Sequence, residues 1–137
     1  MPNVEAVVVD THVLLWWQAG GDRLSIEARR RIERADVLYV SPITCWEIAM
    51  LVSKRRVALD RPVSTWINDL LATSTAAIAD LTPTVAVAAG ELPDFHGDPA
   101  DRIIYATAAT RQLPLITKDR RLHDLSGADG GAVMTLW

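Results

Sequence analysis

The sequence predicts an α/β fold with a mainly parallel central sheet. Three observations predict it: short β-branched runs without polar alternation, helical stretches between them, and capping residues where one gives way to the other. Ala6–Val9 reads AVVV, the pattern of a strand covered on both faces, and Val37–Val40 resembles it. Ala76–Leu81, Leu115–Thr117 and Ala132–Leu136 are the remaining strand candidates. Helical segments fall at 12–18, 25–34, 42–54, 63–73, 83–91 and 99–111. Ser41-Pro42 and Asp98-Pro99 each place an N-capping side chain before a proline whose fixed φ suits the first helical position. Helices alternating with strands return each strand parallel to the one before.

The 137 residues suffice for one hydrophobic core, and no repeat or linker divides them, so a single domain over 1–137 is expected. Half of the residues are apolar and 23% charged, which excludes a disordered or fibrous chain. The apolar runs fall far short of the about 20 residues that span a bilayer. No basic segment precedes the first of them, as a secretory signal requires, so a cytoplasmic protein is expected. A single cysteine, Cys45, excludes a disulfide framework and a multi-cysteine zinc cage within the chain; it reads as a small buried side chain.

The net charge of −3 argues at face value against a nucleic-acid partner. Its distribution softens the argument. Five of the seventeen acids fall in positions that point to one site: Asp10, Glu47, Asp98, Asp101 and Asp119. Without them fourteen basic side chains face twelve acidic ones, a balance of +2. The basic residues cluster at Arg29–Arg31 with Arg34, at Lys54–Arg56, and at Lys118, Arg120 and Arg121. Such clusters are commonly solvated faces, so charge permits nucleic acid without requiring it.

In a parallel sheet, ligands bind outside the carboxyl ends of the strands. Asp10 follows the first strand directly, and Asp119 follows Leu115–Thr117 by two residues. Either alone is equally well a turn former or a helix cap. Glu47 is harder to explain structurally, because its helical neighbours at ±3 and ±4 are Ile43, Thr44, Met50 and Leu51. A carboxylate on that apolar stripe pays a desolvation penalty that a cation removes, unless it reaches water or an arginine at the edge. Asp98 and Asp101 span the start of a helix, where capping and the helix dipole account for both. Asp101 nevertheless shares its face with Ile104, Tyr105 and Ala108. If these acids converge, their repulsion calls for a counter-ion. A site rich in oxygen and poor in His and Cys selects hard cations, Mg²⁺ with Mn²⁺ as substitute, and such ions serve phosphate chemistry.

Four stretches then resemble the PIN-domain family, and within it the VapC-type toxins of toxin–antitoxin pairs. They are Val7–Trp16 (VVVDTHVLLW), Ser41–Ile48 (SPITCWEI), His96–Ala108 (HGDPADRIIYATA) and Leu113–Leu122 (LPLITKDRRL), in family order along nearly the whole chain. The resemblance implies a three-layer α/β/α domain and Mg²⁺-dependent endoribonuclease activity leaving 5′-phosphate and 3′-hydroxyl ends. It also implies a small antitoxin protein that blocks the site. By position it assigns Asp10, Glu47, Asp101 and Asp119 as catalytic, with the metal on Asp10 and Asp101 and the other two completing the shell. Glu47 is a candidate to take the proton from water. Asp98 belongs to a subgroup pattern, open between ligand and cap. Thr11 and Thr117 match hydroxyls lining the site, and Arg102 either orients phosphate or pairs with a site acid.

His12, His96 and His123 are expected to have no catalytic role. Trp16 and Trp17 point about 100° apart on a helix and are hard to bury together, so at least one is expected to line a homodimer or antitoxin groove. A response-regulator receiver is disfavoured because Thr11 stands where an acidic pair is needed. A haloacid-dehalogenase phosphatase is disfavoured because His12 stands where a second Asp is needed. The remaining rivals are a processing ribonuclease outside toxin–antitoxin systems and a non-catalytic PIN-like binding module.

Overall fold

The computed structural model describes residues 4–93, 98–128 and 130–137. The chain runs β1 (Ala6–Val9), α1 (Thr11–Gln18), α2 (Ile26–Arg34), β2 (Val37–Val40), α3 (Pro42–Ser53), α4 (Val63–Thr73), β3 (Ala76–Ile78), α5 (Pro83–Glu91), α6 (Pro99–Arg111), β4 (Leu115–Ile116), α7 (Arg120–Ala128) and β5 (Thr135–Leu136). The five strands form one sheet in the order β3-β2-β1-β4-β5. All four pairings are parallel, so the sheet is wholly rather than mainly so.

Strand β1 lies at the centre, which is why its residues are apolar without alternation. Val7 and Val9 enter one buried cluster with Val13 and Leu14 of α1, Ala28 and Ile32 of α2, and Trp66 and Leu70 of α4. Val8 points the other way, into a cluster with Ile104 and Tyr105 of α6 and Leu122 and Leu125 of α7. Successive strand side chains alternate sides, so one short strand serves two cores. α5 packs outside α6 through Val85, Ala89 and Ala106. α3 bridges the two sides, with Ile48 in the first cluster and Ile43 against the second.

Capping fixes where the helices start. Ser41 Oγ accepts from the Ile43 amide ahead of α3, and Asp98 Oδ1 accepts from the Asp101 amide ahead of α6. Three strands are shorter than the sequence suggests: Asp80 and Leu81 are exposed outside β3, Thr117 ends β4 early, and β5 begins only at Thr135. Helix α7 was not expected. Its apolar signal is only Leu122 and Leu125, and Gly127 sits within it, so local propensity is weak and burial on the sheet carries the helix.

Leu38 on β2 is fully buried. Leu38→Ala is expected to destabilise the protein by about 2–5 kcal/mol, read as a lower urea midpoint. Ile26→Ala, at a position 83% exposed, should stay within about 0.5 kcal/mol of wild type. A larger loss there would contradict the packing described.

Candidate metal centre

The strand order reverses between β1 and β4, the switch point at which parallel sheets open a crevice. Register places Val9 beside Ile116, so the next residues, Asp10 and Thr117, face each other as the strands end. The Thr117 hydroxyl donates to Asp10 Oδ2 at 2.5 Å. Asp10 Oδ1 accepts from the His12 amide at 2.9 Å, capping α1. Both oxygens are thus fixed, and each keeps a second acceptor site.

Glu47 comes from α3 and is 7% exposed. Thr11 Oγ1 donates to its Oε1 at 2.5 Å, and the Thr44 hydroxyl lies 3.0 Å from Thr11 Oγ1. With its proton given to Glu47, Thr11 must accept from Thr44. The chain of donors runs from α3 through α1 and back to α3. Asp101 projects from the first turn of α6, and Asp119 stands just ahead of α7, with its amide bound to Thr117 Oγ1 at 3.0 Å.

These carboxylates face one cavity of about 400 Å³, lined by Asp10, Glu47, Asp98, Asp101 and Asp119 and edged by His12 and Trp16. Five acids separated by up to 109 positions of sequence are therefore neighbours. Burial raises the proton affinity of Asp10 against the bonds from Thr117 and His12. Burial raises that of Glu47 against the Thr11 bond, with Asp98 and Asp10 adding to the rise. Asp101 is pushed up to about 7, first by burial and then by the charges of Asp98, Asp10, Asp119 and Glu47. For Asp119 burial is outweighed by Arg121, which holds its carboxyl below the usual range.

Two cations of the Lys118–Arg121 cluster, whose commoner reading is a solvated face, enter that cavity. Arg121 donates to Asp119 at 2.9 Å and reaches Asp101 at 3.4 Å, bridging two acids. Lys118 also lines the wall. An Asp-x-Arg spacing ahead of Leu122 is the signal that would have placed Arg121, had α7 been recognised: the Asp119 carboxylate also takes the Arg121 amide at 2.9 Å.

The three supporting residues divide. Thr11 and Thr117 are buried at the site, where their hydroxyls bond Glu47 and Asp10. Arg102 neither pairs with a site acid nor faces the cavity. Its guanidinium donates to the carbonyls of Ala89, Gly90 and Leu92 at 3.0–3.3 Å and so ties down the end of α5. One position along a helix turns a side chain by about 100°, which carries Arg102 away from the face of Asp101.

Asp98 is both cap and lining residue. The His123 ring holds Thr135 Oγ1 and the Thr117 carbonyl, a fastening between α7 and the sheet. His96 lies outside the described residues. Cys45 is half-buried, and so are Trp16 and Trp17.

A PIN-domain family model matches residues 7–128. The chain belongs to the PIN-domain family. This PIN domain is 45% identical over 118 residues to Ribonuclease VapC22 of Mycobacterium tuberculosis, spanning 85% of the chain and 89% of the relative. Its fold is similar to a toxin-antitoxin complex from Klebsiella pneumoniae, at 22% identity, with 96% of each chain covered and a TM-score of 0.65. It is likewise similar to VapBC2 from Rickettsia felis bound to a promoter DNA fragment, at 15% identity, with 96% of this chain and 97% of that one covered and a TM-score of 0.67.

The donor set fits Mg²⁺ or Mn²⁺. Its donors are carboxylate oxygens with one imidazole, His12, at the edge, and the repulsion among the acids is what raises Asp101 after burial. Among the described residues no three His, Cys, Asp or Glu side chains are grouped closely enough to hold one ion together. An ion that keeps several waters needs only one or two carboxylates.

A carboxyl with a higher pKa folded than unfolded binds its proton more tightly in the native state, so stability falls as pH rises between the two values. For Asp101 that window runs from 3.8 to about 7. Metal-free protein is expected to melt lower at pH 7.5 than at pH 5.5, with Mn²⁺ raising the melting temperature more at pH 7.5. Equal gains at both would count against it. Arg121→Ala, which removes the ion pairs with Asp119 and Asp101, about 0.5 kcal/mol each, should tighten Mn²⁺ binding about fivefold by calorimetry. Weaker binding would show that Arg121 does not oppose the ion.

Proposed function

We propose that this PIN domain is a metal-dependent endoribonuclease, acting as the toxin of a toxin–antitoxin pair. The observation that carries the reading is the convergence of five carboxylates on one cavity at the β1–β4 switch point. The 45% identity to a ribonuclease supports RNA as the substrate, and the similar toxin-antitoxin complex supports a small antitoxin partner. A homodimer is part of the proposal, supported by apolar surface such as Trp46 at 58% exposure on α3. The cytoplasm is the proposed compartment; among the described residues no helix is long and apolar enough to cross a membrane.

Asp10 and Asp101 are the residues to hold Mg²⁺, with Glu47, Asp119 and Asp98 at the edge of the set. The ion would supply a lowered pKa for water and neutralise charge building on the scissile phosphate. The protein does the rest by position. Thr117 and the His12 amide keep Asp10 in a single orientation, so no reorganisation is needed when substrate enters. Glu47 is the residue proposed to accept a proton from water, a role that its raised proton affinity and its bond from Thr11 support. Lys118 and Arg121 stand at the cavity wall to receive phosphate oxygens.

Purified protein should cleave single-stranded RNA with Mg²⁺ and not with EDTA. Asp10→Asn and Asp101→Asn should each reduce cleavage by about three orders of magnitude with an unchanged circular dichroism spectrum. Full activity in either variant would overturn the assignment. Rescue of growth by a short open reading frame upstream would identify the antitoxin, and RNA processing without toxicity would favour a nuclease outside such pairs.

A further inference from the structure

A second groove adjoins the acidic cavity. Its volume is about 810 Å³, twice that of the first, and His12 and Trp16 line both. The shared wall is aromatic. His12 and Trp16 are one helical turn apart with ring centroids at 5.9 Å, and Trp137 meets Trp16 edge-on at 5.9 Å. Lys118 lies over both indoles at 5.8 and 5.9 Å.

Beyond that wall Arg23 and Arg56 line the groove, exposed, with no acid paired to either among the described residues. The groove's other charges are Asp22, also exposed, and Asp60 with Arg61. Arg61 is already engaged by Asp60 at 2.8 Å and Asp69 at 2.6 Å. The cations left to meet a ligand are therefore Arg23 and Arg56, against Asp22.

We infer that this groove carries the single RNA strand flanking the scissile phosphate, with Trp16 as a stacking platform for a base and Arg23 and Arg56 on the backbone. The inference rests on the nuclease reading above. A cavity built from five carboxylates repels the phosphates on either side of the one it holds, so affinity for the strand must come from outside it. Single-stranded nucleic acid is held by cations tracking the backbone beside aromatic faces that stack bases. Those are the parts found here, continuous with the cavity's edge.

The test is fluorescence anisotropy of a labelled 12-nucleotide RNA in EDTA, where cleavage is blocked, across a series of salt concentrations. Arg23→Ala with Arg56→Ala should weaken binding on the order of tenfold and reduce the slope of log affinity against log salt by about 1.4, two phosphate contacts at 0.7 each. Trp16→Phe should largely preserve binding, while Trp16→Ala weakens it on the order of tenfold with the slope unchanged. Mn²⁺ affinity should be unaffected by the arginine substitutions. An unchanged slope and affinity in the double variant overturns the proposal. So does a double variant that binds RNA normally but loses a protein partner. Normal RNA binding with the expected slopes but no Mg²⁺-dependent cleavage would instead refute the nuclease reading and leave the groove assignment standing.

Discussion

Like charges held in a cavity of low polarity raise one another's energy, and this constraint orders the rest of the molecule. Asp10, Glu47, Asp98, Asp101 and Asp119 line one space, and their mutual repulsion adds to burial at Asp101. Such an arrangement survives only because other groups offset it. Thr117 and Thr11 each give a hydroxyl proton to a carboxylate, the His12 and Asp101 amides are taken by Asp10 and Asp98, and Arg121 spans Asp119 and Asp101. A hydrogen bond to the charged form lowers its energy, so each donor partly restores the solvation that burial removes.

The compensation is uneven, and the unevenness is informative. Asp119 is well supplied by Arg121 and stays easily ionised, whereas Asp101 receives the same guanidinium at a longer distance and stays hard to ionise. Asp10 and Glu47 are likewise left hard to ionise, by burial first. Positive charge is thus least supplied at Asp10 and Glu47 and best supplied at Asp119, next to α7. Arg121, more than half exposed, can give way there at small energetic cost.

The two flanks of the sheet contribute differently. α6 and α7 bring Asp101, Asp119 and Arg121, while α1 brings the His12–Trp16 wall and faces the groove with Arg23 and Arg56. The five carboxylates line the cavity, and Arg23 and Arg56 line the adjoining groove. Two aromatic side chains, His12 and Trp16, stand between them.

By itself the sequence determined the alternation of strands and helices, because periodicity and caps such as Ser41 and Asp98 act over a few residues. It also singled out Glu47, since a carboxylate on an apolar helical stripe conflicts with its surroundings in any fold that buries that stripe. Only the tertiary structure decided which way neighbouring side chains turn. Thr11 and Thr117 turned to Glu47 and Asp10, Arg102 went to the end of α5, and Arg121 entered the cavity from a helix too weakly patterned to be foreseen. Those outcomes depend on a strand register and on rotations of about 100° per helical position. Both are set by packing against segments far away in the chain, and no local pattern encodes them.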